Sequence, residues 1–196
     1  MRAVRRVTGR ALPLDRADVD TDQIIPAHWL KRVERTGYGA GLFEAWQRDP
    51  AFVMNDPRYA GASILVAGAN FGSGSSREHA VWALDEAGFR AVIAPRLADI
   101  FRANCLKSGL VPVEIAADAA AKLLRLVEGD PQTEITIDVE SGTVEASSVR
   151  ASFALDEHAR VRLLQGLDDI AVTLAHAHDI TTYESTRATW LPSLRD

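Results

Sequence analysis

Apolar positions in this chain come in two textures: short unbroken runs between residues 60 and 115, and helical spacing around and after them. Ala62–Ala67, with the core Ile64-Leu65-Val66 bounded by glycines, predicts a strand buried on both faces, as do Ala91–Ala94 and Leu110–Ile115. Between them, Ala80, Ala83, Leu84 and Ala87 share one helical face that Gly88 ends, and Leu97–Leu106 reads as a second helix stopped by Gly109. Strand, helix, strand, helix, strand is the pattern of a parallel sheet. Upstream, residues 3–14 predict a strand running into a polar loop, Asp15–Gln23, closed by Ile24–Pro26. His28–Arg35 then forms a short basic-apolar helix or loop, and Gly37, Gly39 and Gly41 mark the stretch as mobile. Downstream, a helix at Ala116–Glu128 precedes a hairpin, Ile135–Val139 and Thr143–Ala146, turned by Ser141-Gly142. A last helix pair is expected: residues 155–165 fit a helix ending at Gly166, residues 168–174 fit strand or helix, and a frayed tail starts at Ser185. With no repeat, low-complexity tract or linker, residues 1–196 read as a single α/β domain with a mostly parallel central sheet flanked by helices.

Composition narrows the function classes. At 196 residues, 47% of them hydrophobic, the chain can bury a sizeable core. A net charge of -5 argues against nucleic acid, which calls for a basic face, but leaves room for a small anion held by a local cluster of donors. One cysteine, Cys105, excludes an internal disulfide and any protein-only cluster or zinc site built on several thiolates, and fits a reducing, cytoplasmic setting. On its helix, Cys105 reads as a small buried hydrophobe. No signal-peptide-like or membrane-spanning stretch is expected. His176 and His178, two apart, do not share a helical face and have no third ligand nearby. Asp18, Asp20 and Asp22 alternate like the start of a calcium loop, but Gln23 and Trp29 stand where a glycine and a glutamate would be required.

The segment that carries chemistry is Asn70-Phe71-Gly72-Ser73-Gly74-Ser75-Ser76-Arg77-Glu78-His79, between a buried strand and a helix start. In open α/β sheets ligands bind beyond the carboxyl ends of strands, where helix N-termini offer unpaired N–H groups. A dinucleotide fingerprint fails because Arg77 stands where its third glycine belongs, and a Walker loop fails because Ser75 stands where its lysine belongs. The spacing of a nucleophile elbow is also absent. A plain structural reading remains: Ser75 and Glu78 as a capping box opening the helix, Arg77 as a surface charge, His79 as a partly buried histidine.

Gly74-Ser75-Ser76-Arg77-Glu78-His79 resembles the active-site loop of the swivelling domain of aconitase-like dehydratases. Asp20-Thr21-Asp22-Gln23-Ile24-Ile25-Pro26 is similar to that family's N-terminal active-site loop, and Ala98-Asp99-Ile100, Asn104 and Gly109–Val113 to its later core. Arg35–Gly39, Leu42-Phe43 and Trp46 narrow the resemblance to bacterial isopropylmalate dehydratase small subunits, from about Ala3 to Glu184. The resemblance implies an aconitase-type swivelling domain that works only with a large subunit, whose three cysteines would hold a [4Fe-4S] cluster. None of that cluster's ligands is expected on this chain. It implies a hydro-lyase that interconverts 2-isopropylmalate and 3-isopropylmalate through 2-isopropylmaleate in leucine biosynthesis. Ser75 would be the base, Ser76 and Gly74 would support it at the substrate, and Arg77 would grip a substrate carboxylate. Asp22 would face the site and orient a catalytic group, although an aspartate that only stabilises a turn fits equally.

Residues 27–36 resemble the loop with which the family distinguishes substrate side chains. Leu30 and Val33 suit an isopropyl group, Lys31, Arg32 and Arg35 are either solvated or turned to the partner subunit, and Arg35 is also a candidate substrate contact. Two further readings stay open: a small subunit for another hydroxy-dicarboxylate or tricarboxylate of homoaconitase or methylmalate type, and a non-catalytic anion-binding α/β module.

Overall fold

A computed structural model describes residues 1–188, 190 and 191. Seven strands form one sheet: β1 (Arg6–Leu14), β2 (Ile64–Ala67), β3 (Ala91–Ala94), β4 (Val111–Glu114), β5 (Glu134–Asp138), β6 (Thr143–Ala146) and β7 (Val149–Ser152), in the order β4-β3-β2-β1-β5-β6-β7. β1 joins two different halves. Its second stretch pairs in parallel with β2 (Ala11 opposite Ile64, Leu14 opposite Ala67), and β2, β3 and β4 continue the parallel half. Its first stretch pairs antiparallel with β5 (Arg6 opposite Asp138, Arg10 opposite Glu134), opening an antiparallel meander through β6 to β7. The residues dictate this division. Every residue of β2 and β3 is buried, as a strand covered on both faces requires, whereas β5 and β6 alternate buried and accessible positions with one face wet.

Eight α-helices accompany the sheet among the described residues: α1 (Thr21–Ile24), α2 (Glu44–Gln47), α3 (Glu78–Glu86), α4 (Asp99–Ser108), α5 (Ala117–Gly129), α6 (Glu157–Gln165), α7 (Asp169–Leu174) and α8 (Ala177–Thr186). α5 buries Ala120, Leu123, Leu124 and Val127, the i, i+3, i+4, i+7 stripe of an amphipathic helix, and lies across β1, β2 and β3. α3 and α4 are the crossovers of the parallel half and pack on each other. Their fully buried members include Ala80, Leu84 and Cys105, so Cys105 is the core hydrophobe that its place on the helix predicts. Desolvation pushes its thiol well above the ordinary range, which suits packing rather than chemistry.

Four expectations change. The polar loop at Asp15–Gln23 contains a helical turn, α1. The helix expected from Ser75 begins at Glu78, with Arg77 at the N-cap position and no side-chain cap, so the Ser75–Glu78 capping box does not form. The hairpin gains a third strand, β7. Residues 168–174 resolve as helix, with Asp168 capping α7 through the Ala171 N–H. The frayed tail expected from Ser185 falls in two parts: Ser185 and Thr186 complete α8, while residue 189 and residues 192–196 lie outside the described residues. Among the described residues no helix is long and apolar enough to cross a membrane.

Candidate active site

Parallel strands deliver their following loops to one edge of the sheet, and here the loops after β1, β2 and β3 are stitched together by backbone hydrogen bonds. Asp18 N donates to Ala69 O (2.9 Å), Gly72 N to Val19 O (2.7 Å) and Thr21 N to Ser73 O (2.9 Å). On the other side Phe71 N donates to Arg96 O (3.2 Å) and Ala98 N to Phe71 O (2.9 Å). The sheet is in effect prolonged by single bridges, Asp20 with Ser73 and Phe71 with Leu97. Side chains reinforce the seam. The Asn70 amide donates to Asp18 Oδ1 (2.8 Å), and Leu97 N donates to Glu114 Oε1 (2.8 Å) from the end of β4.

Gly72 sits in the left-handed region (φ 81°), and a Cβ there would stand 2.2 Å from Cγ of Phe101. Only glycine lets the loop pass so close to α4. Gly74 (φ 84°) then turns the chain so that Ser75 and Ser76 reach solvent at the top of the sheet.

α1 explains why this loop stays extended instead of joining α3. Asp20 and Gln23 form the reciprocal capping box: Gln23 N donates to Asp20 Oδ1 (2.8 Å) and Asp20 N to Gln23 Oε1 (2.9 Å). This single turn points Thr21 inward, only 2% exposed, and Asp22 outward. The Thr21 hydroxyl donates to the Ser75 carbonyl (3.0 Å), and the Arg77 guanidinium pairs with the Asp22 carboxylate. Backbone and side chains of Thr21 and Asp22 therefore hold residues 73, 75 and 77, alternate positions of the extended segment. The structure brings Asp22, Gly74, Ser75, Ser76 and Arg77 together. Arg77 is largely sheltered, with 14% of its side chain exposed, while Asp22 is half exposed at 53%.

Behind this group, the His79 ring lies edge-on to Tyr38 (5.2 Å between centroids) and Trp82 (4.7 Å). Burial pushes its pKa below the usual histidine range, Glu78 opposes that and Arg77 adds to it. His79 is thus the partly buried histidine of the plain reading.

Leu30, Val33 and Arg35 are placed differently. Ala27–Lys31 forms a turn of 3-10 helix whose Trp29 is anchored by its indole N–H to Glu44 Oε2 (2.6 Å), with His28 Nε2 beside the same oxygen (3.0 Å). That indole bond, ahead of the charges of His28 and Arg48, holds the Glu44 carboxyl below its usual range. Beyond this anchor Leu30 is half-buried, Arg35 is exposed and Val33 is 93% exposed. Among the described residues no hydrogen bond or ion pair ties these three to Ser75–Arg77. Arg35 instead lines a cleft with Glu78, Trp82 and Glu86 along α3.

As to metals, no three His, Cys, Asp or Glu side chains gather into a possible ligand set among the described residues, and Cys105 is sealed in the core. The residues present do not fit an iron-sulfur cluster held by this chain alone.

Comparison with known proteins places the chain in a family. Residues 1–118 match the family model described as aconitase C-terminal domain, and residues 169–194 match the model for the C-terminal domain of 3-isopropylmalate dehydratase small subunits. A 3-isopropylmalate dehydratase small subunit of Parafrankia sp. is 60% identical over 186 residues, covering 95% of each chain. The chain belongs to the 3-isopropylmalate dehydratase small-subunit family. A Streptomyces coelicolor member is 57% identical over 192 residues, covering 98% of each chain. The solved 3-isopropylmalate dehydratase of Methanocaldococcus jannaschii superposes with a TM-score of 0.62 at 26% identity, covering 91% of this chain and 99% of that one.

For a small subunit of this family, the resemblance seen in the two loop motifs extends over nearly the whole chain. One site feature goes beyond what the motifs show. Local pattern marks Thr21 only as a turn former, yet Asp20 followed three residues later by Gln23 is a helix-start signal that turns Thr21 inward. The bond from Leu97 N to Glu114 has no such signal, because it joins residues from two different strand ends.

Proposed function

We propose that this chain is the small subunit of 3-isopropylmalate dehydratase and supplies the proton-handling and carboxylate-binding half of its active site. The observation that carries the reading is the exposed Ser75–Ser76 pair beside a sheltered, pre-oriented Arg77, at the carboxyl edge of a parallel sheet whose described residues hold no cluster ligand set. The reaction removes water from 2-isopropylmalate and returns it at the neighbouring carbon through 2-isopropylmaleate. A proton must leave a C–H next to a carboxylate, and charge builds on that carboxylate as it goes. Ser75 takes the proton at its Oγ, Ser76 and the backbone at Gly74 border the substrate, and Arg77 holds the carboxylate through its planar fork. Asp22 orients that fork.

Serine needs help to act as an alkoxide. A helix N-terminus stabilises a nearby negative charge by only about 0.3–1 kcal/mol. Ser75 also stands three residues before α3 begins, so the positive groups of a completed site must share the work. We assign those groups to a large subunit with a [4Fe-4S] centre, a Lewis acid suited to the departing hydroxyl. Leu30 and Val33 present apolar surface to the isopropyl group, and Arg35 flanks the same loop, once that partner closes on it.

The test is anaerobic mixing of this chain with the cluster-loaded large subunit of the same organism. The expected result is formation of 2-isopropylmaleate from either isomer by the mixture and by neither chain alone. No turnover from the mixture, with a phosphate or carboxylate bound by this chain alone, would instead support an anion-binding module. Faster turnover of a homocitrate- or methylmalate-type acid would move the substrate assignment.

A further inference from the structure

We infer that Thr21 is a positioning residue for the reaction: its hydroxyl fixes the peptide carbonyl of Ser75 and thereby aims the Ser75 Oγ. This rests on the reading of Ser75 as the base. Thr21 is the one buried polar side chain among the described residues, at 2% exposure, and its hydrogen bond ends on the backbone of the very residue assigned the proton transfer. The surroundings make that bond consequential. The loop is tied down as far as Ser73, but from Gly74, which has a positive φ, to the start of α3 it has no regular structure of its own. Upstream of Ser75 the backbone is held at Ser73 by the Thr21 N–H (2.9 Å), and downstream Arg77 is held by Asp22. Without the Thr21 hydroxyl, Ser75 would sit midway between those two ties with its own peptide unfixed. Neither serine hydroxyl has a hydrogen-bond partner among the described residues, so nothing else in them sets the direction of Oγ.

Two properties mark this as more than a structural bond. The capping box rigidifies α1 independently of Thr21, through Asp20 and Gln23, so removing the hydroxyl leaves the turn intact. The Ser75 carbonyl, on an exposed residue, can also take a water in place of the threonine hydroxyl, so the loss of the bond leaves no polar group stranded in the core. What changes is aim. Misplacing a catalytic group by about 1 Å costs on the order of 100-fold in rate.

The experiment compares Thr21→Val, Thr21→Ser and Ser75→Ala in the enzyme reconstituted with its large subunit. Valine keeps the shape and removes the donor; serine keeps the donor. The expected result for Thr21→Val is a kcat lower by about 10- to 100-fold with KM within about twofold of the parent, and unchanged thermal melting and complex formation. Thr21→Ser should recover most of that loss. A Thr21→Val enzyme with parental kcat would overturn the inference, and so would equal losses in the valine and serine variants or a loss that follows melting or assembly. Ser75→Ala separates the two layers: an active Ser75→Ala enzyme sinks the reading of Ser75 itself, whereas an inactive one beside an unimpaired Thr21→Val sinks only the role of Thr21.

Discussion

Arg77 shows how a single side chain can be both structural and available. Its Nη1 donates to Asp22, which leaves Nε and the far side of the guanidinium plane for a second anion. On the proposed reading, Asp22 does not compete with a substrate carboxylate but sets the plane in which that carboxylate is met in a fork. A lysine in this position has one compact charge and cannot satisfy Asp22 and present two parallel donors at once. Arg77→Lys is expected to lose about 1.5–3 kcal/mol of charge-assisted binding, or about one to two decades in kcat/KM. Steady-state kinetics of the reconstituted enzyme check this, and a near-parental kcat/KM would contradict it. At this scale Ser75, Ser76, Arg77 and Asp22 are visible in the sequence because their residue types and order form a motif. The role of Thr21 is not, since a hydrogen bond across 54 positions leaves no trace in local pattern. Nor does pattern tell that Val33 stands almost fully in solvent.

Among the elements, the loop after β2 depends on what flanks it. The loop after β1 lies on one side and the start of α4 on the other, with Phe71 and Phe101 packed edge-to-face at 5.3 Å beneath. Gly72→Ala would force a Cβ against the Phe101 ring at 2.2 Å in addition to straining a φ of 81°. Strain alone costs about 1–2 kcal/mol, and overpacking adds about 1–3, so a loss of about 2–5 kcal/mol is expected. Gly88→Ala is the control: its φ of 103° is equally adverse but a Cβ there meets nothing within 4 Å, so only the strain should appear. Denaturant midpoints of the two variants measure the difference, and equal losses would mean that α4 yields freely. This crowding also explains which elements are legible in advance. β2, β3 and β4 announce themselves as short unbroken apolar runs, whereas β7 is a four-residue edge strand with no buried position, Val149-Arg150-Ala151-Ser152, and carries no such signature. Sequence pattern starts α3 too early because Ser75–Glu78 is a sound local cap that loses to tertiary ties from α1. Two hydrogen bonds and an ion pair to Thr21 and Asp22 outweigh the one or two bonds a capping box offers.

The molecule as a whole divides unevenly between a tightly packed body and a loosely attached end. The body runs through α6, which buries Ala159 and Leu163 and accepts the Val4 N–H at Leu163 O (2.8 Å). α7 remains tied to it, since Asp169 pairs with Arg162 (2.6 Å) and Lys107 (3.4 Å). α8 buries no residue, and Ile180 and Tyr183 lie exposed on it. Helices of fewer than about 12–15 residues are marginal in water without tertiary packing, and α8 has ten residues. In the isolated chain its amides should therefore exchange with solvent nearly unprotected, while those of β2, every residue of which is buried, and of α5, held on the sheet by its apolar stripe, exchange only through global opening. Two truncations convert that contrast into stability. Ending the chain after Ala175 removes α8 and should leave Tm within about 2 °C, because none of the described residues it removes is buried. Ending it after Leu167 also removes Asp169 and the ties to Arg162 and Lys107, and should melt measurably lower. A large drop from the first truncation, or strong protection of α8 in the isolated chain, would show that the end of the chain is part of the folding unit after all.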